Sequence, residues 1–215
     1  GSALVKAATG EISSDAELGS AEMHFEVTGT VEYLAEDDAH GIEIARDVVK
    51  SLSLNSTKTV ASVPTIPPKY DIKEILGLVS TDYRKPYDVK ELIARLVDNS
   101  SFIEFKPNYG TSTVCIQTQI FGVACGVIGN NGPIDPNGAT KAAQFFQLCD
   151  HANNPIIFLN NTTGYMVGKE YEHAGMIKHG SKMIQAVTNV TVPKQTFSSH
   201  GQMQKQGLWE DNKRP

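Results

Sequence analysis

The sequence predicts an α/β fold, because apolar strand patterns alternate with amphipathic helix patterns along its second half. Residues 113–128 alternate as in a β-hairpin, residues 140–153 have a helical period, and residues 156–159 form a short apolar run after Pro155. A second helical period follows at residues 172–189. This order of strand, helix, strand and helix is typical of a sheet that is covered by its own crossover connections.

The composition is that of an ordinary globular protein. The 215 residues are 40% hydrophobic and 20% charged, and the net charge is −5. Because no basic stripe is available to neutralise phosphates, we expect no nucleic-acid partner. No apolar run approaches the roughly 20 residues that a bilayer-spanning helix needs, so we expect no membrane partner either.

The first 52 residues contain two different patterns. Residues 1–31 hold short apolar runs interrupted by glycines and have no sustained helical period, which predicts turns and short strands. Residues 37–52 have the period of an amphipathic helix, with charged residues opposite an apolar face. That apolar face contains Ile42, Ala45, Val48, Val49 and Leu52.

Residues 51–68 are polar and contain Pro64, Pro67 and Pro68. Proline lacks a backbone N–H donor and disfavours helix at the preceding residue, so this stretch is interpreted as a linker. We therefore predict a domain boundary near residue 65.

A helix and a hairpin are predicted after this boundary. Asp88 precedes Glu91 by three residues, as in a capping box, and opens an apolar helix face. The hairpin consists of Thr113–Ile120 and Val123–Ile128, joined by a turn at Phe121 and Gly122. The apolar face of the helix contains Val89, Leu92, Ile93 and Leu96.

The rest of the α/β pattern places two loops after strands. A turn at 129–133 follows the hairpin, a loop at 160–168 follows the strand at 156–159, and a further strand is predicted at 190–192. Ligands of α/β folds bind at the carboxyl ends of strands, so the candidate ligand loops are Asn130–Gly132 and Thr163–Gly168 within these two connections. The predicted inward residues of the two helices are Ala142, Phe145, Phe146, Cys149, Met176, Gly180, Met183, Ile184 and Val187.

Neither the cysteines nor the histidines have the spacing of a metal site. Cys115, Cys125 and Cys149 each lie in an apolar stretch and form no Cys-x-x-Cys pair, so we interpret them as buried core residues. His173 and His179 are six residues apart, which places them on different helix faces. We expect no metal. A basic patch of Lys178, His179 and Lys182 is either a solvated helix face, which we favour, or a contact for a coenzyme A phosphate.

Seven segments carry motifs in a fixed order. They are Leu4–Glu11, Glu17–Gly19, Tyr87–Asp98, Phe102–Gly110, Gly129–Gly132, Asn161–Glu170 and Ile177–Val187. In order and spacing, across residues 1–194, they resemble the β (carboxyltransferase) subunits of biotin-dependent acyl-CoA carboxylases. The chain looks more like the methylcrotonyl-CoA and geranyl-CoA carboxylases than the propionyl-CoA carboxylases.

This resemblance implies a crotonase-like fold (the ClpP/crotonase superhelix), with the end of one such domain and the first part of a second. It implies transfer of a carboxyl group from carboxybiotin to the α or γ carbon of an acyl-CoA thioester. Biotin is then carried by a biotin carboxylase/biotin carrier subunit, and other carboxyltransferase subunits complete a homo-oligomer. Each fixed backbone N–H aimed at the enolate oxygen is worth roughly 2.7–4 kcal/mol in such chemistry.

The resemblance also implies that the two candidate loops meet the biotin end of the site. Glycines let a backbone approach a ligand closely, and Tyr165 and Met166 are candidates for the walls of an apolar slot. The alternative is that both loops are ordinary tight turns with a tyrosine and a methionine in the core. The candidate biotin- or CoA-binding residues are Asn130, Asn131, Gly132, Gly164, Tyr165, Met166, Val167 and Gly168.

By the same resemblance, residues 1–64 are the C-terminal part of the carboxyltransferase N-domain plus a linker, and residues 65–194 are the N-terminal part of the C-domain. Residues 195–215 are an atypical polar tail. Family members carry Gly-Gly oxyanion turns, one upstream of this chain and one soon after the Val-Pro-Lys strand, whereas no Gly-Gly pair occurs here. We therefore assign no catalytic residue and expect the chain alone not to catalyse carboxyl transfer.

Two hypotheses of different classes follow. The chain is either part of an active acyl-CoA carboxyltransferase subunit or a truncated, non-catalytic product that only packs with intact subunits. A crotonase-type hydratase or isomerase is a weaker third hypothesis, because it requires a side-chain acid or base that we do not find. The expected compartment is the mitochondrial matrix for a eukaryotic source and the cytoplasm for a bacterial one.

Overall fold

A mixed five-stranded sheet organises the part of the chain that the structure describes. The structure is a computed structural model, and it describes residues 1–51, 65–79, 87–162 and 164–198. Neighbouring strands are antiparallel from β1 to β3 and parallel from β3 to β5, in the spatial order β1-β2-β3-β4-β5. The strands are β1 (Phe102–Glu104), β2 (Thr113–Ile120), β3 (Val123–Asn130), β4 (Ile156–Asn160) and β5 (Lys194–Ser198).

Helices make the connections between the parallel strands. The α-helices in the described ranges are α1 (Ser2–Thr9), α2 (Asp15–Gly19), α3 (Ala21–Met23), α4 (Asp38–Ser51), α5 (Ile75–Leu78), α6 (Val89–Ala94), α7 (Pro136–His151), α8 (Lys169–His173) and α9 (Met176–Asn189). Helix α7 connects β3 to β4, while α8 and α9 connect β4 to β5. The predicted α/β class is therefore confirmed, since the crossovers are helical and the strands they join are parallel.

The predicted hairpin is confirmed. Strands β2 and β3 pair from Thr113 opposite Asn130 to Ile120 opposite Val123. Phe121 and Gly122 form the turn with φ of 51° and 74°. Two consecutive positive φ values give the turn the twist that matches its flanking strands. Strand β3 continues to Asn130, two residues beyond the predicted end.

Two hydrophobic clusters cover the two faces of the sheet. Cys115 of β2 belongs to the cluster under α7 and α9, whereas its neighbours Val114 and Ile116 belong to the cluster under α6. This follows from the period of two along a strand. The helix residues buried against the sheet include Val89, Leu92 and Ile93 of α6, Phe145 and Phe146 of α7, and Met176, Met183 and Val187 of α9.

The prediction for residues 1–31 was wrong. This region contains α1, α2, α3 and a π-helical turn at His24–Thr28, with no strand. Ser14 and Glu17 form a capping box that begins α2, and Gly10 ends α1 with a φ of 78°. The glycines that suggested turns between strands thus act as helix ends, which also prefer a left-handed residue.

Three element boundaries also differ from the predictions. Helix α7 begins at Pro136 because Asp135 caps it and proline is favoured in the first helical turn. The helix predicted at 172–189 is two helices, since Gly175 adopts a φ of 83° between α8 and α9. The final strand lies at Lys194–Ser198 and not at 190–192, so it includes residues 195–198 of the predicted tail.

The amphipathic helix at 37–52 is confirmed as α4 up to Ser51, but its apolar face is not covered. Ile42 is 60% exposed and Val49 is 54% exposed. Within residues 1–51 the buried hydrophobic side chain is Phe25. Most of the predicted linker at 51–68 and most of the tail lie outside the described residues.

A buried lysine attaches the N-terminal segment to the sheet unit. The Lys106 ammonium donates to the backbone carbonyl of Gly29 and lies 3.4 Å from Glu32. Gly29 packs on the ring of Tyr109, where a Cβ atom would approach the ring to 2.6 Å. These contacts are specific to a glycine with a φ of 63°.

The three cysteines are buried free thiols, as predicted. Burial raises the pKa of Cys115, Cys125 and Cys149 to about 12. Because the thiolate is the reactive form, we expect the native chain to react with a thiol reagent roughly a thousandfold more slowly than free cysteine at pH 8. Ellman titration measures this, with three thiols reacting after unfolding in guanidinium. Fast reaction of the native chain would show that the thiols are not buried.

Among the described residues, no helix is both long and apolar enough to cross a membrane. Within the same ranges, no three His, Cys, Asp or Glu side chains cluster as a metal site.

Candidate functional site

A small cavity lies at the carboxyl ends of β3, β4 and β5. Its volume is about 40 Å³, which is enough for a few water molecules, so a larger ligand would lie over its mouth. This is the edge at which α/β folds bind ligands. The residues that line it are uncharged: Thr113, Ile128, Asn130, Ile134, Phe158, Asn160, Thr162, Met183 and Thr196.

The structure brings the two candidate ligand loops together at this edge. Ile134 and Tyr165 form a parallel β-bridge. The Ile134 N–H donates to the Gly164 carbonyl at 3.0 Å, and the Met166 N–H donates to the Ile134 carbonyl at 2.8 Å. The loops after β3 and β4 are therefore one hydrogen-bonded unit, although about 30 residues separate them in sequence.

The turn after β3 presents its backbone more than its side chains. Asn130 is buried and lines the cavity. The Asn131 side chain points away from the cavity and bonds to residues 88 and 89, at the start of α6. Gly132 lacks a Cβ, and one placed there would reach no atom nearer than 4.0 Å, so this backbone is open to a ligand.

The loop after β4 divides into a packed part and an exposed part. The Tyr165 ring packs against Gly180 of α9, its hydroxyl donates to the Gly180 carbonyl at 3.4 Å, and burial raises the pKa of that hydroxyl. Met166 packs against the same cluster. Val167 is 81% exposed, and Gly168 is exposed with a φ of 128°. Tyr165 and Met166 therefore pack against the hydrophobic cluster under α7 and α9, and neither lines the cavity.

Sequence reasoning missed several residues of the cavity. Asn160 is the last residue of β4 and Thr162 comes two residues later, so their position at a strand end was a usable signal. Thr113 and Thr196 come from β2 and β5, and their convergence depends on strand order, which the sequence pattern does not reveal.

Thr113 offers a test of the packing around the cavity. Its hydroxyl is buried and has no hydrogen-bond partner among the described residues. An unpaired buried hydroxyl costs about 1–3 kcal/mol, so we expect T113V to leave the free energy of unfolding unchanged or to raise it. T118V is the matched control, because the Thr118 hydroxyl donates to the Ser101 carbonyl at 2.8 Å; it should lose about 1 kcal/mol. Urea unfolding measures both, and a larger loss of unfolding free energy for T113V than for T118V would show that the Thr113 hydroxyl is hydrogen-bonded.

The remaining predicted polar residues lie elsewhere. His173 is on α8 and His179 on α9, where the His179 Nδ1 is 2.8 Å from the Thr140 hydroxyl. Lys178 and Lys182 are exposed, as expected for a solvated helix face. Met176 and Met183 are buried core residues.

Comparison with known proteins identifies the family. The sequence profile of the Carboxyl transferase domain matches residues 1–200. The mitochondrial methylcrotonoyl-CoA carboxylase β chain of Dictyostelium discoideum is 43% identical over 92% of this chain and 34% of its own length.

Two solved structures are similar to the chain. The geranyl-CoA carboxylase β subunit of P. aeruginosa is 55% identical, with a TM-score of 0.61, over 87% of this chain and 36% of that one. Transcarboxylase 12S, solved with methylmalonyl-coenzyme A bound, is 33% identical, with a TM-score of 0.83, over 92% of this chain and 40% of that one.

These matches confirm the resemblance and the crotonase-like fold. The chain spans between 34% and 40% of the length of these three proteins. Because the family profile matches residues 1–200, the chain belongs to the carboxyl transferase domain family.

Proposed function

We propose that the chain forms part of a carboxyltransferase subunit of a biotin-dependent acyl-CoA carboxylase. The reaction moves a carboxyl group from carboxybiotin, carried on a partner subunit, to the α or γ carbon of a methylcrotonyl-type acyl-CoA. The names of the methylcrotonoyl-CoA and geranyl-CoA carboxylase relatives support this substrate class. The compartment follows the source: the mitochondrial matrix in a eukaryote and the cytoplasm in a bacterium.

The observation that carries this proposal is the hydrogen-bonded unit of two loops at the carboxyl edge of the sheet. We propose that Asn130, Asn131, Gly132 and the loop at Gly164–Gly168 contact the biotin end of the site. The fit is favourable because a Cβ at Gly164 would touch no atom within 4 Å, which leaves space for a ligand beside this residue. Met166 and Tyr165, which pack against the hydrophobic cluster, are the proposed apolar wall of this site.

The neutral lining of the cavity favours carboxyl transfer over hydration or isomerisation. A hydratase needs a side-chain acid or base close to its substrate, and the residues that line this cavity carry no ionisable group. Carboxyl transfer instead requires that the enolate charge be held by fixed N–H donors. The chain contains no Gly-Gly pair, so we propose that other parts of the subunit supply these donors.

We also propose the domain assignment made from the sequence. Residues 1–64 then belong to the carboxyltransferase N-domain and its linker, and residues 65–194 belong to the C-domain. Residues 195–215 are the polar tail. The exposed apolar face of α4 supports this assignment, since Ile42 and Val49 need cover that the described residues do not give. Other carboxyltransferase subunits and a biotin carrier subunit are the proposed partners.

A chimaera tests the proposed function. Residues 87–198 of this chain replace the matching segment of the P. aeruginosa geranyl-CoA carboxylase β subunit, and biotin-dependent carboxylation is measured in the assembled enzyme. We expect activity within about tenfold of the parent, because the exchanged segment brings both candidate loops in their hydrogen-bonded arrangement. A displacement of roughly 1 Å at the site would instead cost about a hundredfold. An assembled but inactive chimaera would contradict the proposal and favour a chain that only packs with intact subunits. The 215-residue chain assayed alone should show no turnover.

A further inference from the structure

Two hydrogen bonds of the Asn131 side chain join the turn after β3 to the start of α6. The Asn131 Nδ2 donates to the Asp88 Oδ1 at 3.0 Å, and the Asn131 Oδ1 accepts from the Val89 N–H at 2.8 Å. The same Asp88 oxygen also accepts from the Lys90 N–H at 2.9 Å, which caps α6. We call these three bonds the Asp88–Asn131 clasp. Asp88 thus caps its helix at the second helical N–H and not at Glu91, as the predicted capping box would have it.

The clasp is supported by close packing of the same two elements. A Cβ at Gly129 would approach Val89 Cγ2 to 2.6 Å, and Val89 is fully buried. The Asn131 N–H donates to the Ser112 carbonyl at 2.8 Å. The turn is therefore fixed on one side by Ser112, the residue before β2, and on the other by α6, and it has little freedom to shift alone.

The chemistry of the clasp requires a particular kind of residue at position 88. Serine, threonine, aspartate and asparagine all cap helices. Aspartate and asparagine carry an oxygen that also reaches a second donor, and a carboxylate makes the stronger bond. A shorter capping residue would keep the helix start and lose the bond to Asn131.

We propose that Asp88 is a positioning residue for the candidate biotin turn. It acts through Asn131, whose side chain is held by the clasp and whose N–H is held by Ser112, so that the adjacent Gly132 backbone faces a ligand in a fixed orientation. This inference rests on the proposed function. It assigns Asp88, a residue 43 positions from Asn131 in sequence, to the geometry of the biotin side and not of the acyl-CoA side.

The test uses the assembled holoenzyme that contains this chain, with D88S, D88N and the control D71S. Asp71 caps a short helix through the Lys73 N–H at 2.9 Å and is exposed, so D71S makes the same change without touching the turn. We expect D88S to raise the KM for the biotin-carrying partner about tenfold and to leave the KM for acyl-CoA unchanged. D88N keeps the oxygen that accepts both bonds and should restore the KM, while D71S should have no effect.

The outcomes separate the possible failures. Unchanged KM values in D88S would overturn the positioning role. A fall in kcat with both substrates affected equally, together with a lower melting temperature, would also overturn it, since that pattern indicates only lost stability. If D88S does not assemble, D88T repeats the test with another short capping residue. No transfer by the unsubstituted holoenzyme would overturn the proposed function, and the positioning role with it.

Discussion

Replacement of Glu104 by alanine should lower the free energy of unfolding by about 3–5 kcal/mol, because it removes the nearest counter-charge of a buried lysine. Lys141 of α7 is fully buried and its ammonium has no hydrogen-bond partner among the described residues. The nearest carboxylate is Glu104 of β1, with the Glu104 Oε1 at 4.0 Å from the Lys141 Nζ. Glu104 also pairs with Lys90 at 3.2 Å, so it serves two cations.

The matched control is K141M, which removes the buried charge and keeps an apolar side chain of similar length. Glu104 retains its contact with Lys90 in this variant, so we expect an unchanged or higher free energy of unfolding. In the K141M background, E104A should lower the free energy of unfolding much less than it does in the unsubstituted chain. Urea unfolding of the four chains forms a double-mutant cycle, and equal losses from E104A in both backgrounds would show that Lys141 is not the cause.

The same lysine predicts a pH dependence. Burial lowers the pKa of Lys141 below its ordinary value of 10.5, so between the folded and unfolded pKa values the unfolded chain binds more protons. Stability then rises with pH across that window and is lost as pH falls towards the folded pKa. The unfolding free energy of the unsubstituted chain, relative to that of K141M, should therefore increase as pH approaches 10.5. A constant difference between pH 7 and pH 10 would contradict the burial of the charge.

Local signals in the sequence predicted most of the sheet. The Phe121–Gly122 turn, the alternation of β2 and the apolar run of β4 each depend on neighbouring residues, and all three are confirmed. Strand β5 was misplaced because Val190 and Val192 are buried without belonging to a strand. Burial alone gives an apolar pattern, and the strand begins only after Pro193, whose carbonyl accepts from the Ile156 N–H at 2.9 Å.

The candidate site was predicted less completely, because its decisive contacts are distant in sequence. The loops at 130–132 and 164–168 were predicted from their place after strands. The bridge from Ile134 to Tyr165 and the clasp from Asp88 to Asn131 leave no periodic pattern. Lys141 lies in an amphipathic helix, where a lysine is normally exposed; only the fold places Glu104 beside it.

Replacement of Gly110 by alanine is the second change with a large expected effect. Gly110 lies in the loop between β1 and β2, with a φ of 55°. A Cβ there would lie 2.6 Å from the Gly138 nitrogen and 2.8 Å from the Asn137 carbonyl carbon. Both are backbone atoms in the first turn of α7, so no side chain can move away to relieve the overlap. We expect a loss of about 3–4 kcal/mol from left-handed strain and overpacking together.

The control is G10A, since Gly10 has a φ of 78° and a Cβ there would meet no atom within 4 Å. G10A should lose about 1–2 kcal/mol from the left-handed conformation alone, and the difference from G110A measures the contact with α7. Equal losses of unfolding free energy in urea would show that the loop at Gly110 does not contact the first turn of α7. Because α7 begins two residues after Ile134, which bridges to Tyr165, displacement of its first turn should also weaken the junction of the two candidate loops. G110A in the chimaera should therefore lose activity as well as stability, whereas G10A lies outside the exchanged segment and cannot affect it.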